Sequence, residues 1–315
     1  MHYSKGKTAP GFFLTAVLMI LLLAAPASAV NLYDDGDTAI DLYSRLYLMY
    51  ENTDSGRITG NDSRVGLRAS HRVTGDLSVF ARAEFRYDAS ERARSDVFND
   101  RRNTYVGLNS GIGRLTVGNF DSVYYQSVSH LFDMYENEGF VALGQGGTAS
   151  RANSLAYSSP VLQGLQLHGQ VRHYEETDTV SGDEEFVFQA AGTYTFQNLT
   201  LGAGAVIENE DAGRDETLYG FSASYKILDN LSLRVMYEHM KDAGDEDYHA
   251  ALGAIYNYGA GDLYASVGQD PFDDTYFALG ANYKFSKPMR VFAEYGNGDI
   301  IDPDDVITVG LRYDF

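Results

Sequence analysis

Cysteine is missing from this chain altogether. Disulfides, thiolate metal sites and a cysteine nucleophile are therefore excluded. Tryptophan is missing too, and proline occurs only six times. Positive charge is scarce: 24 Lys and Arg stand against 44 Asp and Glu, for a net charge of −20. Phosphate backbones need a basic surface, so nucleic acid is not expected as a partner. Beyond residue 29 no stretch approaches the ~18 apolar residues of a helical membrane span. Enzyme signatures are lacking as well. There is no G-x-S-x-G elbow, no H-E-x-x-H and no GxGxxG opening a helix. His71, His168, His173, His239 and His249 are scattered over separate segments. The chain does not read as an enzyme, and no catalytic residue, cofactor or metal site is expected. The acid runs Asp242, Asp245, Glu246, Asp247 and Asp302, Asp304, Asp305 lack EF-hand spacing and read as a solvated rim.

What is present begins with an export signal. Lys5 and Lys7 precede an apolar run from Gly11 to Ala25, and Ala27-Ser28-Ala29 forms an A-x-A cleavage site. Residues 1–29 read as a cleaved signal peptide and 30–315 as one domain. Removing two lysines from a net −20 leaves −22 on the mature chain.

The mature chain alternates apolar and polar residues with a period of two, in sixteen segments: 39–51, 62–74, 76–88, 101–110, 113–119, 152–159, 165–176, 185–196, 198–209, 216–227, 229–241, 247–258, 261–269, 274–286, 289–297 and 305–315. Tilted strands of about this length span a bilayer. The connections alternate in length. Tight ones carry Gly, Asn and Asp turn chemistry, as at Gly111-Ile112-Gly113 and Leu228-Asp229-Asn230. The others are longer and acidic, the pattern of outer-membrane barrels with short periplasmic turns and longer outer loops. The faces follow: Leu77, Val79, Ala81, Ala83, Phe85 and Tyr87 share one side, and Ser78, Phe80, Arg82, Glu84, Arg86 and Asp88 the other. An ionised inner face means a water-filled lumen, since bare buried charge is very costly. The expected fold is all-β, a transmembrane antiparallel β-barrel of sixteen strands.

One connection, Asn119 to Ser150, is far too long for a turn. It carries Phe120, Tyr124, Tyr125, Leu131, Phe132, Met134, Tyr135, Phe140 and Leu143, which need something to pack against. It also carries Asp121, Asp133, Glu136 and Glu138, with no basic residue before Arg151. It reads as a loop folded into the lumen and narrowing it.

Several motifs taken together resemble the general diffusion porins of Gram-negative outer membranes. They are Asp41-Leu42-Tyr43-Ser44-Arg45, Arg64-Val65-Gly66-Leu67, Tyr105-Val106-Gly107-Leu108 followed by Gly113-Arg114-Leu115-Thr116-Val117-Gly118, Arg151 to Pro160 with Gly164-Leu165, and the closing Tyr313-Asp314-Phe315. The resemblance covers essentially the whole mature chain. It implies a sixteen-stranded trimeric barrel whose third outer loop turns inward. It implies a charged constriction, with wall arginines at Arg45, Arg64, Arg102 and Arg151. The loop acids would be Asp133 and Glu136 or Glu138. Arg82 joins the wall by period alone, and Asp121 joins the loop acids by position. Tyr313 and Phe315 would form the assembly signal. The resemblance also implies outer-membrane lipids, lipopolysaccharide and the barrel-assembly machinery as partners. Two departures stand out: Asn119 follows Gly118 where the family often has Arg, and 133–140 lacks the family's proline-containing tip.

The function expected is passive diffusion of small hydrophilic solutes and ions. The rivals are a solute-specific channel, which Tyr124, Tyr125 and Tyr135 leave open, and a structural or adhesive barrel with a plugged lumen. The acidic mouth predicts cation preference at low salt that shrinks towards neutral at high salt.

Overall fold

The computed structural model describes residues 29–52, 56–60, 62–91, 98, 100–137, 139–143, 152–175, 184–207, 217–241, 246–269, 275–297 and 305–315. Most of the expected signal peptide, the acid runs near 242 and 302, Glu138 and Arg151 lie outside these residues, apart from Asp247, Asp305 and the backbone of Glu246.

Among the described residues there are nineteen strands. They are β1 (Val30–Asp34), β2 (Thr38–Glu51), β3 (Arg57–Thr59), β4 (Ser63–Arg72), β5 (Ser78–Tyr87), β6 (Asp100–Arg101), β7 (Thr104–Ser110), β8 (Gly113–Asn119), β9 (Ser154–Ser158), β10 (Leu165–Tyr174), β11 (Glu185–Phe196), β12 (Leu199–Ile207), β13 (Thr217–Leu228), β14 (Leu231–Lys241), β15 (Glu246–Asn257), β16 (Asp262–Gln269), β17 (Thr275–Lys284), β18 (Met289–Asn297) and β19 (Val306–Asp314). Sixteen of them follow the sixteen expected segments and pair antiparallel with their neighbours in sequence. The ring closes where β19 pairs with β2, from Thr308↔Glu51 to Asp314↔Arg45. Closure leaves no open edge, the condition for strands to cross a bilayer.

The three additional strands are short, and two of them come from interruptions that a period-two reading passes over. Loop 52–61 holds β3, which continues β4 along β2. Met49 pairs with Thr59 and Arg45 with Arg64, so the stretch between these pairs is one residue longer on the β3–β4 side than on β2. Segment 101–110 breaks in the same way: 102–104 oppose only 83–84, between the pairs Phe85↔Arg101 and Arg82↔Tyr105. Each is a one-residue bulge, a device that re-aims side chains. The third strand, β1, lies along β2 beyond the end of β19.

The barrel is inside-out in polarity. Leu167, Phe188, Leu252 and Val309 are more than half exposed on the outer face. Glu84, Ser222, Glu238, His249 and Thr308 are fully buried inside. Apolar groups outward and polar groups inward is the arrangement a bilayer selects. The inner wall is not uniformly polar, however. Val187, Val206, Leu218, Met236, Ala251 and Tyr276 form a buried cluster on strands β11 to β15 and β17. They are covered by Tyr124, Val128, Phe132, Val141 and Ala142 of the long loop. Burying each large apolar side chain contributes roughly 1.5–3 kcal/mol, which fixes the loop to that side of the lumen.

Candidate pore constriction

The inward loop begins with a short helix, α1 (Val123–Ser127), capped by Ser122, whose hydroxyl accepts from Tyr125 N at 3.1 Å. The unpaired N–H groups of a first helical turn need acceptors, and two wall glutamines supply them. Val123 N donates to Gln170 Oε1 at 2.9 Å and Tyr124 N to Gln189 Oε1 at 3.3 Å. The helix sits close to the wall. A Cβ at Gly202 would lie 1.8 Å from the Ser127 carbonyl, and one at Gly220 would lie 2.0 Å from the Tyr124 hydroxyl.

Two buried glutamates then hold the loop like posts. Glu238 on β14 accepts from Tyr124 OH and Ser129 Oγ, both at 2.9 Å, and from Leu143 N at 2.6 Å. The first two bonds go to Oε1 and the third to Oε2, which also lies 3.6 Å from His249 Nδ1. Burial, with Glu238 alongside, pushes the Tyr124 hydroxyl well above its ordinary pKa, so it stays a donor. Arg234 donates to the Leu131 carbonyl. Glu294 on β18 accepts from Glu136 N at 2.8 Å, Asn137 N at 2.9 Å and Tyr264 OH at 2.5 Å. Around it, Tyr47 OH donates to the Glu136 carbonyl at 2.9 Å and Asn137 Nδ2 to Thr308 Oγ1 at 2.8 Å. Tyr135 OH meets Ser266 Oγ at 2.8 Å and donates to the Ala278 carbonyl at 3.0 Å.

The wall that the loop leaves uncovered is basic, and the two bulges shape it. Asp62, in the first bulge, takes Arg45 at 3.0 Å, Arg64 at 2.9 Å and Arg86 at 3.2 Å. Glu84, opposite the second, takes Arg82 at 2.5 Å, Arg64 at 3.7 Å and Arg102 at 3.8 Å, with Asn103 Nδ2 at 3.2 Å. Asp314 takes Arg45 at 2.8 Å and Arg312 at 2.7 Å. Glu136 of the loop takes Arg312 at 3.0 Å and Arg290 at 3.5 Å. Seven arginines thus share four carboxylates. Partly buried ion pairs of this kind are weak evidence for stability, since desolvation offsets the attraction. The excess positive charge facing the lumen is the property that remains.

Of the sequence candidates, Arg45, Arg64, Arg82 and Arg102 meet in this network. Glu136 joins the arginine wall directly, so this acid is not held across the lumen from it. Asp133 is exposed and accepts from Tyr125 OH. Asp121 lines a cavity of about 490 Å³ with Arg82, Arg114, His130 and His168. Tyr313 and Phe315 place their rings 6.0 Å apart, and Phe315 exchanges backbone hydrogen bonds with Ser44 at 2.7 and 2.9 Å. Sequence reasoning missed Arg290, Asp62, Glu238 and Glu294 as site residues, and assigned no role to Arg86, Arg312 or Asp314. Arg86 stood on the inward face of 76–88 already, and in 305–315 the same period puts Arg312 and Asp314 on the polar face with Thr308 and Gly310; that period was the available signal. Asp62 had none, because it depends on a bulge.

Comparison with known proteins gives a consistent result. The family model described as Gram-negative porin matches residues 15–300. A monosaccharide porin of a Halomonas species is 25% identical over 360 residues, spanning 93% of this chain and 96% of that protein. Outer membrane porin PhoE of Escherichia coli K12 is 20% identical over 352 residues, spanning 96% and 99%. The solved structure of Salmonella typhi OmpF in complex with daunomycin superposes with a TM-score of 0.75 at 19% identity, covering 91% of this chain and 100% of that one. The anion-selective porin from Comamonas acidovorans superposes with a TM-score of 0.72 at 17% identity, covering 89% and 100%. At such identities the structural likeness speaks for the fold alone.

Proposed function

This chain belongs to the Gram-negative porin family, and from that premise we propose how its pore selects. It is an outer-membrane porin whose barrel forms a water-filled channel for passive diffusion of small hydrophilic solutes and ions. Family and fold point to a channel rather than an enzyme. The constriction lies between the inward loop and the wall of Arg45, Arg64, Arg82, Arg102 and Arg312, with Asp121 and Asp133 on the loop side and Glu136 of the loop paired to Arg312 at the wall. Glu138 and Arg151 belong to the same proposal from sequence. Opposed charge at a narrow, water-poor neck orients dipolar solutes, and apolar ones lose hydration there without compensation. The observation that carries this reading is the docking of the loop on Glu238 and Glu294, which covers the apolar wall and touches the basic wall through Glu136 at Arg312 and Arg290, leaving Arg45, Arg64, Arg82 and Arg102 without a loop partner among the described residues. In a planar bilayer, Asp133→Asn with Glu136→Gln should move the zero-current potential towards anions, and Arg64→Ala towards cations. An unchanged potential in the double variant would remove the loop from the pore lining.

The assembly is proposed to be a homotrimer in contact with outer-membrane lipids and lipopolysaccharide, delivered by the barrel-assembly machinery after cleavage of residues 1–29. Outward Leu67, Val106, Leu108, Leu115 and Val117 form an exposed apolar face on β4, β7 and β8, suited to barrel–barrel contact. Unboiled protein should migrate as a trimer on a denaturing gel. Monomer mobility would refute that.

A further inference from the structure

The inner wall repeats one device: a glycine on one strand is covered by a ring from the next. A Cβ at Gly66 would lie 2.3 Å from the Tyr43 hydroxyl, and one at Gly107 would lie 2.2 Å from the Phe80 ring. These two rings are themselves held. Tyr43 OH donates to Glu84 at 2.9 Å and accepts from Arg82 Nε at 2.7 Å. Phe80 meets Tyr105 edge-on at 6.1 Å. Each ring in turn carries a guanidinium: Arg68 Cζ is 4.2 Å from the Tyr43 centroid and Arg114 Cζ is 3.8 Å from that of Phe80.

Arg68 and Arg114 differ from the seven arginines of the wall network. Among the described residues neither forms an ion pair. Asp41 is the register partner of Arg68, but its carboxylate accepts from Asn31 Nδ2 at 3.0 Å. The other side-chain contact of Arg114 is a 3.4 Å hydrogen bond to Thr116 Oγ1. Both arginines are exposed. Both line one cavity of about 280 Å³, together with Asp41, Ser70 and Asn109. They lie towards the short-turn end of the barrel: Arg114 follows Gly113 at the head of β8, and Arg68 is nearer than Arg64 to the turn after β4. Stacking restrains a guanidinium without using its N–H donors, so less freedom is lost when those donors bind a ligand.

We propose that Arg68 and Arg114 form a two-point subsite on the periplasmic side of the constriction, for a small solute carrying two carboxylates. Each planar fork takes one carboxylate in the bidentate manner that guanidinium geometry allows and ammonium does not. The inference rests on the channel reading and deepens it by naming a solute class.

The test uses the mature protein in a planar bilayer, with succinate added on the periplasmic side at constant ionic strength. Chloride current should fall with increasing succinate, and acetate or inorganic phosphate should act far more weakly. Arg68→Gln with Arg114→Gln should raise the succinate concentration needed at least about tenfold, the loss expected when charge-assisted hydrogen bonds go. Arg68→Lys with Arg114→Lys keeps the charge and removes the fork. It should lose the succinate effect while leaving the zero-current potential in plain salt close to wild type. Equal block in the lysine variant, or block by acetate or phosphate as strong as by succinate, would reduce the pair to a diffuse positive field and overturn the subsite. Absence of any ohmic current would instead sink the channel reading itself, so the two failures are told apart.

Discussion

Glu294 accepts two consecutive backbone N–H groups, those of Glu136 and Asn137, at the point where the inward loop reaches the wall. Its two oxygens take one donor each, beside Glu136, whose own charge Arg312 and Arg290 balance. Glu294→Ala would leave those two N–H groups and Tyr264 OH without their acceptor. A donor left dry costs about 1–3 kcal/mol, less where lumen water reaches it. The expected result is a loop tip released from the wall, seen as a higher single-channel conductance and a lower temperature for loss of the folded band on gels. Wild-type values for both would mean that Glu294 does not latch the loop. Glu238 sits at the other end of the loop with the same logic, and neither residue was legible beforehand. Each is one polar position among many on an alternating strand. Only the fold reveals that its partners come from a distant loop.

At the scale of elements, the alternation of apolar and polar residues was enough to place all sixteen wall strands. Period two is the signature of a sheet with two different surroundings, and it recurs here in every segment. What it could not show were features that break the period. The bulges between β3 and β4 and at 102–104 insert one residue each and leave β3 and β6 too short to display any alternation. Val187, Val206, Leu218 and Met236 are apolar on the inner face because the loop covers them. There the local sequence says nothing about which apolar side meets lipid and which meets protein. Closure falls at the aromatic end of the chain. Phe315 exchanges backbone hydrogen bonds with Ser44 in both directions, extending the pairing of β19 with β2 to the last residue. Deleting Phe315 removes those two bonds and one outward ring at the seam. Surface-exposed barrel should fall while export to the periplasm is unchanged, as measured by surface labelling against total protein. Equal labelling would show that the seam closes without it.

For the whole molecule the deciding quantity is how charge is distributed along the axis. Net charge of the mature chain is −22, from −20 less two leader lysines, and the long loops hold much of the acid. The arginine side of the lumen wall has the opposite sign, while Glu238 and Glu294 stand where the wall holds the loop. Arg45, Arg64, Arg82, Arg86, Arg102, Arg290 and Arg312 exceed Asp62, Glu84, Glu136 and Asp314 by three. Arg68 and Arg114, which lack ion-pair partners among the described residues, raise the excess to five. Screening length then sets which region an ion feels. It is about 30 Å at 0.01 M salt and about 3 Å at 1 M. At low salt the acidic mouth is felt well before the neck, and cations are concentrated there. At high salt only charges that a passing ion nearly touches still act, and those are the guanidinium groups. The composition-based expectation of a preference that fades to neutral therefore needs revision. The zero-current potential should change sign, from cation-preferring at 0.01 M to anion-preferring at 1 M. Arg68→Gln with Arg114→Gln should move the crossing to higher salt. A potential that keeps its cation sign at 1 M would mean that the arginine wall does not face the conducting path.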